Sequence, residues 1–297
     1  MFERILLPLD GSQLAEVAVP YAEYLAGRLG SEVILLHVCH SEEGPYRNMH
    51  QIYLGHMANI MQREMRKGLP KSEQSKVRAE VLVGEPADMV CDYVEKNDIK
   101  MIVMAARGGS GLKVWFLGSV ADKVVRAVKI PVLLVRAQNG RPVSGGGKLI
   151  SRILLPLDGS DASKRSVPYA LELAKRLKAS ISLFGMAERA QYTYTFSEGM
   201  VEEYARMEAA AERSIRAHLI EVEKELRQEG VRVTHAVTRG IDAASEILGQ
   251  EKKTNTDLVV MATRGRSPIG RWVFGSVAEK VLREGDLPLL LVREVAE

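Results

Sequence analysis

The chain has 297 residues, 46% of them hydrophobic and 27% charged, a globular balance with length enough for two domains of about 150 residues. The net charge of +3 does not single out a nucleic acid as partner, and no apolar run approaches the roughly 20 residues that a membrane span needs. Cys39 and Cys91 show neither metal-ligand spacing nor a disulfide framework, and a strand begins by Ile5 with no room for a signal peptide, so the expected location is the cytoplasm.

In chain order, "RILLPL" (4–9) is a continuous apolar run, the pattern of a strand buried on both faces. "DGS" turns the chain, and residues 12–29 carry helical spacing through Leu14, Val17, Ala18, Tyr21, Ala22, Leu25 and Leu29. "EVILLHV" (32–38) reads as a second buried strand, with His37 a satisfied core residue. A long amphipathic connector follows. Met57, Met61 and Met65, preceded by Met49, read as its buried face. His50 and His56 lie in this segment without a cysteine or carboxylate to complete a metal set. "VRAEVLVG" (77–84) is a third strand, residues 86–96 a helix, and "KMIVMAA" (100–106) a fourth strand. A glycine-rich loop leads into the helix "SVADKVVRAV", and "PVLLVR" (131–136) closes as strand five.

The same text then returns. "ILLPLDGS" stands at 5–12 and at 153–160, and "VPYA" at 19–22 and 167–170, both offset by 148. "GSVA" at 118–121 returns at 275–278, and "PVLLVR" returns as "PLLLVR" at 288–293, both offset by 157. The second copy therefore has nine more residues, most of them expected between strands two and three. There residues 197–229 read as one long charged helix, with Tyr192, Tyr194 and Phe196 in a packed connector before it. "AQNGRPVSGGGK" (137–148) reads as a flexible linker. The expected organisation is a domain over 1–137, a linker over 138–149 and a domain over 150–297. Each is a doubly wound α/β unit with a five-stranded parallel sheet and helices on both faces.

Such sheets bind ligands at the carboxyl ends of their strands. Strand one ends at Pro8, Leu9 and Asp10, and its repeat at Pro156, Leu157 and Asp158. These carboxylates can hold a sugar hydroxyl or an amine, or can simply cap the following helix. After strand four, "AARGGSGLKVWFLGS" (105–119) and "ATRGRSPIGRWVFGS" (262–276) each place Gly-Ser after a glycine (Gly108, Gly265) with nine residues between. Gly118, Ser119 and Val120, like Gly275, Ser276 and Val277, would offer helix N-terminal amides and a hydroxyl to an anion. Arg107, Lys113, Arg264, Arg266 and Arg271 add positive charge nearby, while Pro268 removes one donor from the second loop. The alternative is again capping, since "SVAD" and "SVAE" fit a capping box with Asp122 and Glu279.

Together these motifs resemble a tandem universal stress protein, over nearly all of both copies. The resemblance implies an adenine nucleotide alpha hydrolase-like fold, with the last strands of the two domains paired as an internal pseudo-dimer. Whether two chains then form a homodimer stays open. The family's nucleotide-binding members carry G-x2-G-x9-G-[ST] after strand four. Here Gly108 and Gly265 match its second glycine and Gly118-Ser119 and Gly275-Ser276 its end, but Ala105 and Ala262 stand at the first glycine. The resemblance further implies adenine contacts from strand two near Val38 and Met186. The ligand it implies is ATP, with AMP or cyclic AMP fitting the same crevice, and Mg or Mn accompanying the phosphates. The implied role is a cytosolic sensor or regulator of stress, with an unidentified protein partner, and not an enzyme. A slow ATPase and an interaction module with vestigial pockets are the alternatives. There is no G-x4-G-K-[ST] and no evident general base beside the expected phosphates.

Overall fold

A computed structural model describes residues 1–39, 45–66, 76–106, 117–136, 149–189, 198–264 and 274–293. The chain divides into two compact units, Met1–Leu149 with Asp286–Glu297, and Ile150–Gly285.

In the first unit β1 (Arg4–Pro8) leads through a 3-10 turn at Ala15–Ala18 into α1 (Val19–Leu29). The expected single helix over 12–29 is thus two pieces. Pro20 stands in the first turn of α1, where its missing N–H costs nothing. β2 (Glu32–Cys39), α2 (Pro45–Arg66), β3 (Val77–Val83) and α3 (Pro86–Lys96) follow. β4 (Met101–Ala105), α4 (Ser119–Ala127) and β5 (Val132–Val135) complete the first repeat. The strand order β3-β2-β1-β4-β5 reverses direction of travel between β1 and β4, so the ends of those two strands border a crevice. Ile5, Leu6 and Leu7 are all fully buried although neighbours along a strand face opposite ways, so both faces of the sheet are covered. On α2, Met61 and Met65 are buried as expected, Met57 is half-buried, and Met49 is exposed.

The second unit repeats the plan. β6 (Arg152–Pro156), α5 (Asp161–Lys164), α6 (Val167–Leu177), β7 (Ser180–Glu188), α7 (Glu198–Gln228), β8 (Val233–Gly240), α8 (Ala243–Lys253), β9 (Leu258–Ala262) and α9 (Ser276–Glu284) succeed one another. Its strand order is β8-β7-β6-β9. Leu6 pairs with Ile34 and Ile102, and Leu154 with Ser182 and Val259, so register repeats with the sequence. Val33 faces Val77, 44 residues on, and Ile181 faces Val233, 52 residues on, so eight of the nine added residues lie in the strand-two to strand-three connector. They lengthen the helix, from 22 residues in α2 to 31 in α7.

β10 (Leu289–Val292) belongs to the first unit, where it runs antiparallel to β5 with Leu290 opposite Leu133. This is the pairing of last strands expected above. Arg293, just beyond it, donates from Nη1 to the carbonyls of Arg126, Ala127 and Val128 at 2.5, 2.9 and 3.2 Å, closing the C-terminal end of α4.

The two repeats end their matching helices differently. Gly30 follows α1 at φ 73°, whereas Lys178 follows α6 at φ 53°, both left-handed. A side chain there is strained, and glycine is not. Lys178→Gly is expected to stabilise the protein by about 0.5–1 kcal/mol, and Gly30→Lys to destabilise it by a similar amount. Urea midpoints of the two variants check this; movement in the same direction would refute it.

Candidate functional site

The end of β1 is built identically in both copies. Gly11 and Gly159 both lie at φ 82°, a conformation that excludes most side chains. Asp10 Oδ1 accepts from the Ser12 N–H at 2.9 Å and its hydroxyl at 2.6 Å, and Asp158 Oδ1 accepts from Ser160 at the same two distances. Each serine oxygen then accepts a backbone N–H three residues on, from Ala15 or Ser163, at 3.1 Å. "LDGS" is therefore a self-contained turn. One oxygen of the aspartate holds the turn, and in the first copy Asp10 still faces the crevice.

At the end of β4, Gly118 N–H is bonded to the Ala106 carbonyl at 3.0 Å, and Gly275 N–H to Thr263 at 2.8 Å. The capping boxes, the alternative reading of "SVAD" and "SVAE", do not form. Gly118 and Gly275 are the N-cap residues, and no side chain caps either helix, because Ser119 and Ser276 are already the first helical residues. Asp122 turns along its helix to Arg126 Nε at 2.8 Å instead. The first turn of α4 thus presents amides that favour an anion.

Pro8, Leu9, Asp10, Val38, Ala105, Gly118, Ser119 and Val120 line one cavity of about 730 Å³ in the first unit. This is a usual size for a small-molecule site. The structure adds lining that the sequence reading missed, His37, Cys39 and His50 above all. His37 is buried on β2 with Nδ1 2.8 Å from the Leu9 carbonyl, so it is satisfied on one side only as a core residue. Burial holds its pKa below the usual imidazole value, and a charge on His50 acts in the same direction, against the pull of the Leu9 carbonyl and Asp10. The His50 ring stacks on that of His37, with centroids 3.8 Å apart and planes 19° apart. The expectation that no cysteine or carboxylate completes a metal set with His50 and His56 is corrected for His50, since Cys39 and His37 stand beside it. Tyr53, one turn along α2, donates to Glu16 Oε1 at 2.7 Å and so ties the helix to the 3-10 turn. Burial and that carboxylate push the Tyr53 phenol pKa far up.

In the second unit Pro156 ends β6 with Leu157 and Asp158 just beyond it, Met186 lies on β7, Ala262 ends β9, and Gly275, Ser276 and Val277 open α9. Arg264 follows β9. The strand-two wall differs from that of the first copy. Gly185 occupies the place of His37, and a Cβ there would stand 2.4 Å from Ile215 Cγ2 and 3.2 Å from Leu219 Cδ1. Aliphatic side chains of α7 therefore cover the wall that faces the cavity in the first copy. Arg107, Gly108, Lys113, Gly265, Arg266, Pro268, Arg271, Tyr192, Tyr194, Phe196 and most of the linker lie outside the described residues. No helix among the described residues is long and apolar enough to cross a membrane.

Comparison with known proteins agrees with the repeat. The Universal stress protein family model matches residues 1–136 and again residues 150–293. A universal stress protein of Methanocaldococcus jannaschii is 30% identical over 155 residues, which span 51% of this chain and 87% of that protein. One from Synechocystis is 23% identical over 317 residues, covering 98% of this chain and all of its own. The crystal structure of a universal stress protein from Archaeoglobus fulgidus shares the fold with a TM-score of 0.65 at 19% identity, over 99% of both chains. The chain belongs to the universal stress protein family and carries the family's domain twice.

Proposed function

We propose that the first copy binds an adenine nucleotide, ATP in first place, and that the protein acts as a cytosolic sensor or regulator and not as a dedicated enzyme. One observation carries this reading. The uncapped first turn of α4 and the Asp10 carboxylate border the same cavity, one end suited to phosphates and the other to a sugar or base. Ala105 keeps the backbone N–H that a glycine would offer. AMP and cyclic AMP suit the same cavity, with fewer phosphate charges to place on α4. Among the described lining residues Asp10 is the one carboxylate, so Mg or Mn would be carried mainly by the nucleotide's own phosphates. The covered wall at Gly185 favours the interaction-module reading for the second copy, so one nucleotide per chain is expected.

Calorimetric titration of ATP, AMP and cyclic AMP tests this. Gly118 lines the cavity at φ −59° and ψ 148°, which valine adopts freely, so Gly118→Val is expected to keep the backbone and crowd the site, with a circular dichroism spectrum to check the fold. The expected result is one site per chain, lost in Gly118→Val and retained in Gly275→Val. No heat with any of the three nucleotides would leave the interaction module as the function of both copies. Turnover of ATP abolished by Ser119→Ala would make the protein an enzyme.

A further inference from the structure

We propose that His37, Cys39 and His50 form a binding site for a borderline-soft transition metal, zinc foremost, on the wall of the first-copy cavity. The inference stands apart from nucleotide binding. Alternation along β2 puts His37 and Cys39 on one face, and α2 brings His50 to them from the next element. One donor atom from each of the three lies within 4.8 Å of the others, and among the described residues this is the group so arranged.

The chemistry of the set is specific. A carbonyl oxygen can only accept, so the contact of His37 Nδ1 with Leu9 at 2.8 Å places the ring proton on Nδ1. The Nε2 lone pair is then the one left for a metal, and the carbonyl behind the ring is the outer partner that metal-bound histidines usually have. A thiolate and two imidazoles suit zinc, copper or cobalt, and not the oxygen-seeking magnesium or calcium. Three protein donors leave a fourth position, which here opens into the cavity and not into packed core.

Binding asks for a small rearrangement. Donors in tetrahedral zinc sites stand about 3.4–3.7 Å apart, from bonds of about 2.0–2.3 Å. The three groups must close in slightly, and the His50 ring must turn out of its stack so that both lone pairs converge. His50 is half-exposed on α2, so that turn disturbs no core. As the sulfur–metal bond forms, the Cys39 S–H bond breaks and its proton passes to solvent.

The second copy serves as an internal control. Gly185 and Ala187 stand where the first copy has His37 and Cys39, so the repeat as such does not supply the donors. The site belongs to one copy, and one ion per chain is expected.

The test uses the full chain, reduced and stripped with a chelator, titrated with Co(II) and then displaced with Zn(II). Wild type should bind one cobalt per chain, with the visible bands of a tetrahedral ion and a sulfur-to-cobalt charge-transfer band, and zinc should abolish both. Cys39→Ser should lose the charge-transfer band. His50→Ala, at a helical position where alanine is favourable, should weaken binding by at least the roughly 10–100-fold that outer partners alone command. Cys91→Ser, at the other cysteine, should bind as wild type does. No stoichiometric binding by wild type, undiminished binding by Cys39→Ser and His50→Ala, or loss in Cys91→Ser would each overturn the proposal.

Discussion

A chain ended after Gly285 is expected to lose cooperative folding of its first unit, although the cut lies in the text of the second repeat. Leu289, Leu290, Leu291 and Val292 are each 1–2% exposed, and the strand they form is counted with Met1–Leu149. Burying one such side chain contributes about 1.5–3 kcal/mol, so the four together reach about 6–12 kcal/mol as an upper estimate. The whole stability of a typical domain is about 5–15 kcal/mol. The cut also bares the hydrogen-bonding edge of β5, an invitation to pair with another chain. It removes Arg293 from the carbonyls at the end of α4 as well. Urea unfolding and light scattering would show a lost transition and large aggregates. The milder Leu290→Ala should keep the transition and lower stability by about 2–5 kcal/mol. A truncated chain that melts as sharply and as high as the full one would show that β10 contributes little.

Gly185→Ala is expected to destabilise the second unit by about 1–3 kcal/mol through packing alone. The added methyl would meet Ile215 Cγ2 at 2.4 Å, with Leu219 and the Leu157 carbonyl at 3.2 and 3.4 Å. Ile215 is branched at Cβ and buried, so its methyl cannot swing aside and α7 itself must shift. Pairing the change with Ile215→Ala should recover part of the loss, because the cavity of one substitution receives the methyl of the other. A double-mutant cycle would give a coupling of about 0.5–3 kcal/mol. Strict additivity would mean that the two residues do not share this contact in solution.

Much of this was legible in the residues. The continuous apolar runs mark the buried strands, and the constant offsets of 148 and 157 carry register from one copy to the other, as Leu6 and Leu154 show in their pairings. Every described residue assigned to the first crevice, by strand end, by the glycine loop or by the family resemblance, lines the same cavity. The misses have physical causes. Ser119 fits a cap because serine usually is one, but the cap lies one residue earlier, at Gly118, and Ser119 is already helical. His37 looked like core because a fully apolar run conceals which side of it meets a cavity. The His37, Cys39 and His50 cluster needs the packing of α2 on β2, and no spacing in sequence encodes that. The divergence at Gly185 was visible only as a lost imidazole, since what fills the space comes from α7, thirty residues on. The signal that could have found the cluster is the pair His37 and Cys39 at a two-residue interval on one strand.

The antiparallel partner of β5 also sets a timetable for synthesis. Leu134 emerges 155 residues before Leu289, the residue it faces. At about 5–20 residues per second, that interval lasts on the order of ten seconds. Throughout it the first repeat has one edge of its sheet unsealed, and the closing strand arrives only after the strands β6–β9 of the second repeat have been made. Contacts of such long sequence separation form late and slowly. An unpaired edge of this kind is what aggregation exploits, so a chain released before Leu289 would carry nearly all of both repeats and still be open to its neighbours.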